Sequence, residues 1–329
     1  MLRLPTASRL ATARSLVYRS VAPTLQYAWP QLCRRLGATA WVKHENHTPT
    51  GAFKLRGGLV YFDALAQGRL GAGRPDGVIT ATRGNHGQSV AFAARESGIR
   101  ATIVVPHGNS REKNAAMRAL GAQLIEHGED FQAAREHATA LAAERNLHMV
   151  PSFHPELVAG VASYWLEFFE SVPDLQRVYV PIGMGSGAAA AVAARGALRR
   201  RFDIIGVVSA QAPAFALSVS AGKVVEAPVT TRLADGLACR TPDPDVVQIL
   251  GSALADLVQV DDGEIAAAMK MLFIDTHNAA EGAGAAALAA ALRHRDRIAG
   301  QVIGLTLTGG NVDHDVYARV LARTDVPTA

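Results

Sequence analysis

Cysteine is nearly missing from this chain, with Cys33 and Cys239 the only two in 329 residues. Two distant thiols build neither a disulfide framework nor a close-spaced metal pair, so a reducing, cytoplasmic setting is expected. Lysine is scarce as well. Only Lys43, Lys54, Lys113, Lys223 and Lys270 occur, so arginine carries most of the positive side of the +4 net charge. Those arginines are scattered apart from Arg199-Arg200-Arg201. No aromatics interleave with that run, as single-strand binders would require, so a solvated helix end is expected there and not a nucleic-acid surface. Long hydrophobic runs are missing too. No stretch approaches about eighteen apolar residues without a charge or a turn signal, and no membrane span is expected. His44-Glu45-Asn46-His47 lacks the i, i+4 spacing that sets two imidazoles on one helix face, which argues against zinc.

What is present is ample apolar material: 49% of the residues are hydrophobic and 19% charged. At this length two linked cores are the better expectation. Residues 1–19 are Arg-rich and free of acids, as transit peptides are. The apolar spacing of Leu10, Ala13, Leu16 and Val17 favours an ordinary first helix instead. Further on, strands are expected at residues 77–82, 101–105, 122–126, 178–182, 204–209, 257–260 and 302–307. Helical patterns separate them, among them 87–97 and 112–120, and the alanine-rich runs 188–194 and 283–291 read as tightly packed helices. That alternation predicts an α/β fold of mostly parallel sheets covered by helices. Open α/β sheets bind ligands beyond the carboxyl ends of their strands. Three polar or glycine-rich loops lie there, after Ile79-Thr80-Ala81, Val178-Tyr179-Val180 and Leu305-Thr306-Leu307.

The loop Gly183-Met184-Gly185-Ser186-Gly187 opens an alanine-rich helix. Small residues let backbone amides approach an anion, and the helix start adds a favourable dipole, so a phosphate is the natural ligand. A tight turn without a ligand would use the same glycines. Gly183, Gly185 and Ala188 also match G-x-G-x-x-A, but a dinucleotide site wants an acid closing the next strand about twenty residues on. Asp203 stands before that strand instead. The loop Thr82-Arg83-Gly84-Asn85-His86-Gly87-Gln88 also passes from strand to helix, so its amides suit a small carboxylate. Asn85 could donate to a phenolate or carbonyl oxygen, while His86 reads as a cap or packing residue ahead of a proton carrier. In the third segment Thr50-Gly51 marks the entry to a helix with the stripe Leu55, Leu59, Phe62 and Leu65. Lys54 then falls in the first turn, where the helix dipole disfavours an ammonium and favours the neutral nucleophile. An exposed lysine is the plain alternative.

Taken together these segments carry a resemblance. Glu45-Asn46 through Phe53-Lys54-Leu55-Arg56-Gly57 resembles the lysine motif of the serine/threonine dehydratase family, the fold type II pyridoxal-phosphate enzymes. Arg83 to Gln88 resembles that family's asparagine loop, and Gly183 to Gly187 its phosphate cup. Ala280-Glu281-Gly282-Ala283-Gly284-Ala285 is similar to its late helix motif, and Thr308-Gly309-Gly310-Asn311 to its final Ser-Gly-Gly-Asn. The motifs keep the family's order over nearly the whole chain.

The resemblance implies a two-domain fold: residues 1–66 with 151–329 hold the cofactor, and 67–150 form a smaller domain bearing the substrate loop. It implies pyridoxal 5'-phosphate as cofactor and an amino acid as substrate, with a homodimer as the usual assembly. Lys54 would carry the cofactor as a Schiff base and act as base at Cα, with Phe53 packed on the ring. Asn85 would bond the ring oxygen, Thr308 would face the pyridine nitrogen, and Gly183, Met184, Gly185, Ser186 and Gly187 would hold the phosphate. Thr82, Arg83, Gly84, Asn85 and His86 would hold the substrate carboxylate. The implied reaction is β-elimination: a β-hydroxy-α-amino acid loses water and then ammonia to give a 2-keto acid. Threonine, serine, a bulky aryl-serine and 3-hydroxyaspartate all satisfy it.

Departures from the family pattern sharpen the expectations. Met184 and Ser186 replace common glycines, and Arg83 replaces a small residue, where it would reshape the pocket or pair with an acid. In the family's racemases a serine at that position exchanges the Cα proton, so elimination without efficient racemisation is expected here. Residues 207–214 lack the carboxylates of metal-dependent relatives, so no metal is expected. The chain stops soon after Asn311, so no regulatory domain and no end-product control are expected. A β-replacing synthase of the same fold, a nicotinamide-dependent oxidoreductase built on the Gly183 loop, and a non-catalytic ligand binder are the competing readings.

Overall fold

The computed structural model describes residues 3–71 and 73–324. Along these residues run the strands β1 (Gln26–Ala28), β2 (Thr39–His44), β3 (Gly77–Ala81), β4 (Arg100–Val105), β5 (Gln123–Glu126), β6 (His148–Met149), β7 (Arg177–Pro181), β8 (Asp203–Ser209), β9 (Asp256–Val260) and β10 (Val302–Leu307). They form two sheets, ordered β1-β2-β10-β7-β8-β9 and β5-β4-β3-β6. All neighbours pair in parallel except β1 with β2. Every strand expected from the sequence is present, with ends moved by no more than one residue.

The sequence patterns missed β1, β2, β6 and the helix Pro155–Ser171. That helix buries Leu157 to Phe169 without interruption, so it carries no polar face for a period to reveal. β2 hides a fully buried lysine, Lys43, among its apolar residues, which disguises the strand. The first helix, Ala7–Val17, forms as expected and buries Leu10, Ala13 and Val17. Arg199-Arg200-Arg201 follows the helix Ser186–Ala197, where Arg200 Nη1 donates to the Phe169 carbonyl at 2.8 Å.

Both sheets are covered on their two faces, as parallel sheets require. One core unites them. It joins Val78, Val90 and Ile103 beside the smaller sheet to Val178, Val180 and Ile204 of the larger, through Leu55, Val161 and Trp165 of the intervening helices. A second core, with Val42, Ile205, Leu272 and Leu288, covers the other face of the larger sheet. A third, with Ile79, Val104 and Ala138, covers the other face of the smaller one. Among the described residues no helix is long and apolar enough to cross a membrane.

Candidate active site

The helix Lys54–Ala66 starts three residues later than Thr50-Gly51 suggested. Ala52 bridges Gly309 in antiparallel fashion, and the Phe53 amide donates to the Thr308 carbonyl at 3.1 Å. The chain stays committed to those partners before it can turn helical, and Phe53 precedes the first turn without capping it. Lys54 does occupy that first turn. Its Nζ lies 3.3 Å from Ser186 Oγ and 5.1 Å from the centre of the Phe53 ring. Burial lowers its ammonium to about 8, with the Glu281 carboxylate opposing the shift. A depressed amine is therefore set at the floor of a cleft.

Ser186 opens the helix Ser186–Ala197, and the residue before it, Gly185, is left-handed at φ 91° and gives no side-chain cap. The first-turn amides and the positive end of the helix dipole are thus available to an anion. Side chains are excluded at two positions of this cup. A Cβ on Gly183 would come within 2.2 Å of the Gly236 carbonyl oxygen, and one on Gly185 within 2.4 Å of Val246 Cγ1.

Across from the cup, the asparagine loop leaves β3 at Ala81 and winds around Thr82, whose Oγ1 accepts from the amides of Gly84 (3.0 Å) and Gly87 (3.3 Å). The next helix begins at Asn85, two residues earlier than its pattern suggested. Asn85 is gripped at both ends: its Nδ2 donates to Glu281 Oε1 at 2.6 Å, and its Oδ1 accepts from Asn311 Nδ2 at 2.8 Å. Asn311 also donates to the Thr50 carbonyl at 2.8 Å. Four motifs far apart in the chain are therefore tied together within a few bonds. His86 is buried, and burial, reinforced by the Lys54 charge, holds its imidazole down at about 3. It stays neutral at physiological pH.

Arg83 pairs with an acid, Nη1 to Asp235 Oδ1 at 3.1 Å. Lys113 stands beside both, its Nζ 3.6 Å from Asp235 Oδ2 and 3.5 Å from Glu281 Oε2. Burial pushes Lys113 down, but the two carboxylates outweigh it and hold the ammonium above its ordinary range. Burial raises the Glu281 carboxyl, against the pull of Lys113 and Asn85. Lys113, Asp235 and Glu281 escaped the sequence reading as site residues. The scarcity of lysine and the glutamate inside the late helix motif were the signals at hand.

All thirteen residues singled out from the sequence line one cleft of about 950 Å³, open mouth included. Its loops follow β3, β7 and β10 at their carboxyl ends, where parallel sheets gather ligand sites. The dinucleotide alternative finds no support at β8, which Asp203 opens and Ser209 closes. An amine for a carbonyl, an uncapped helix start for a phosphate and an aromatic for a ring fit a phosphorylated aldehyde cofactor.

That combination within two parallel sheets defines the class: the chain belongs to the pyridoxal-phosphate dependent enzyme family, matched over residues 17–309, with the type II fold. Within it, the chain is 36% identical over 291 residues to the L-threonine ammonia-lyase of Geobacter sulfurreducens, covering 88% of this chain and 71% of that one. It is 32% identical over 319 residues to the biosynthetic L-threonine dehydratase of Haemophilus influenzae, of whose length it spans only 61%. The processed form of threonine deaminase isoform 2 from Solanum lycopersicum superposes with a TM-score of 0.87 at 28% identity, over 96% of this chain and 93% of that one.

Proposed function

We propose that this enzyme is a lyase that removes water and then ammonia from a β-hydroxy-α-amino acid of the threonine or serine type. The observation that carries this reading is the 3.3 Å approach of Lys54 Nζ to Ser186 Oγ, which joins a depressed amine to an anion cup in one cleft. The names of the relatives, threonine ammonia-lyase, dehydratase and deaminase, support the same chemistry. When bound, pyridoxal phosphate supplies the electron sink for negative charge at Cα.

The chain's own residues do the rest. Lys54 would anchor the cofactor, and its neutral Nζ would take the Cα proton of the substrate. Gly183, Met184, Gly185, Ser186 and Gly187 would hold its phosphate, Phe53 would pack on its ring, Asn85 would bond its ring oxygen and Thr308 would face its nitrogen. The amides from Thr82 to His86 take the substrate carboxylate. A guanidinium only donates, so Arg83 offers no second base for racemisation. Standing where a small residue is usual and turned toward Asp235, it reshapes the pocket, and this reading admits substrates larger than threonine. The water lost from Cα and Cβ is regained in the final hydrolysis, so amino acid becomes 2-keto acid plus ammonia.

The same reading divides the chain into a cofactor-holding part (1–66 and 151–329) and a substrate-loop part (67–150), and expects a homodimer. Membership of the two sheets supports the division. The test is borohydride reduction of the holoenzyme with peptide mapping. Lys54 is the expected label, and Lys54→Ala is expected to lose the visible cofactor band and at least about 1000-fold in keto-acid release, about 4 kcal/mol. A label on Lys113, the other lysine of the cleft, overturns the assignment.

A further inference from the structure

Arg83 stands at the edge of the cleft. A second chamber of about 1250 Å³, open mouth included, adjoins it, and Arg83, Phe131 and Ala238 wall both spaces. Ala227, Pro228 and Val229 add apolar lining that the first cleft does not share. The chamber's acids are already engaged. Asp130 Oδ1 accepts from the Ala133 amide at 2.9 Å, and Glu226 Oε1 accepts from Thr241 Oγ1 at 2.9 Å. Arg240 is the second cation of the wall, and Arg83 has Asp235 at 3.1 Å.

We propose that this chamber receives the substrate's β-substituent and that the substituent is aromatic, so that the substrates are 3-aryl-serines. The inference rests on the elimination reading above and extends it. A methyl group on Cβ is too short to leave the first cleft. The second carboxylate of 3-hydroxyaspartate sits directly on Cβ, too short to reach Arg240 in the chamber beyond, so it would have to share Arg83 with Asp235, and two like charges at one guanidinium repel. An aromatic ring makes no such demand. It is attracted to a guanidinium without displacing the carboxylate, and it gains edge or offset contacts with Phe131. Burying a ring rather than a methyl is worth about 10- to 100-fold in binding. For 3-phenylserine the balance is phenylpyruvate plus ammonia.

The test uses the holoenzyme and compares kcat/KM for keto-acid release from 3-phenylserine, threonine and 3-hydroxyaspartate. Phenylserine is expected to exceed threonine at least tenfold. Val229→Trp, which narrows the chamber, is expected to lower that ratio at least tenfold while the cofactor band persists. Phe131→Ala, at a partly exposed helix start, serves as the second variant and is expected to lower the ratio several-fold. A ratio near one in the unaltered enzyme, a preference for hydroxyaspartate, or a ratio that neither variant moves overturns the proposal. If no keto acid forms from any of the three, the elimination reading fails and the chamber is still read through binding. Phenylserine must then shift the cofactor band at lower concentration than serine does, and Val229→Trp must remove the difference; equal affinities overturn the proposal.

Discussion

Two of the five lysines reach the same cleft, and their surroundings drive them apart. Lys54 meets desolvation with only Glu281 opposing it, and falls to about 8. Lys113 has Asp235 and Glu281 within 3.6 Å and rises. Near neutrality the first supplies the reactive amine and the second stays an ammonium that orders carboxylates. Attack on a carbonyl needs the unprotonated amine, so the rate of cofactor capture by cofactor-free enzyme is expected to rise with pH through about 8 and level off above it. Stopped-flow absorbance on mixing with pyridoxal phosphate reads this. A rate that stays flat from about pH 7 to 9 would sink the assignment of Lys54 as the depressed group. The helix-dipole argument reached this amine from sequence, because it needs only the residue's place in its own helix. The raised state of Lys113 depends on carboxylates more than a hundred residues away, which no local pattern carries.

The helix bearing Lys54 is held by a buried ionic cluster two residues further on. Arg56 donates through Nε to Glu45 Oε2 at 2.7 Å and through Nη1 to Glu167 Oε1 at 2.6 Å. Lys43 donates to Glu167 Oε2 at 2.6 Å, and Thr24 Oγ1 to Glu45 Oε1 at 2.6 Å. A strand residue, the short turn after it, a helix start and the long buried helix thus share four charges, those of Lys43, Glu45, Arg56 and Glu167, in direct contact. Glu167 answers both cations. Glu167→Leu leaves Arg56 and Lys43 facing Glu45 alone, an uncompensated buried charge expected to cost about 3–5 kcal/mol. The midpoint and slope of urea unfolding measure it. A loss below about 1 kcal/mol, the range of exposed pairs, would show that the cluster is hydrated or rearranges. Lys43 and Glu45 looked like neighbours of chemistry in the sequence. The acid that answers Lys43 and Arg56, Glu167, lies in a helix whose apolar sides gave no hint of a charge turned inward.

At the scale of the whole molecule, one core crosses from the smaller sheet to the larger, so separating the sheets would expose an apolar face of each. The full chain without cofactor is therefore expected to unfold in one step. Trp29, Trp41 and Trp165 all belong to the larger-sheet part, while far-UV circular dichroism follows both sheets. The two transitions should coincide; an early loss of ellipticity with unchanged fluorescence would show the smaller sheet melting by itself. By itself, the sequence determined the strands from 77 to 307, the loops after three of them and the lysine, asparagine and glycine motifs. Each of these rests on short-range rules: apolar period, turn residues, helix-start electrostatics. Only the tertiary structure decided which of those loops face one another, because Phe53 to Thr308, Asn85 to Glu281 and Asn311 to Thr50 are contacts across the fold. It alone brought Lys113, Asp235 and Glu281 into the cleft, and set a second chamber beside Arg83. Charges and cavities of that kind belong to the packing of distant segments, and sequence spacing carries no record of it.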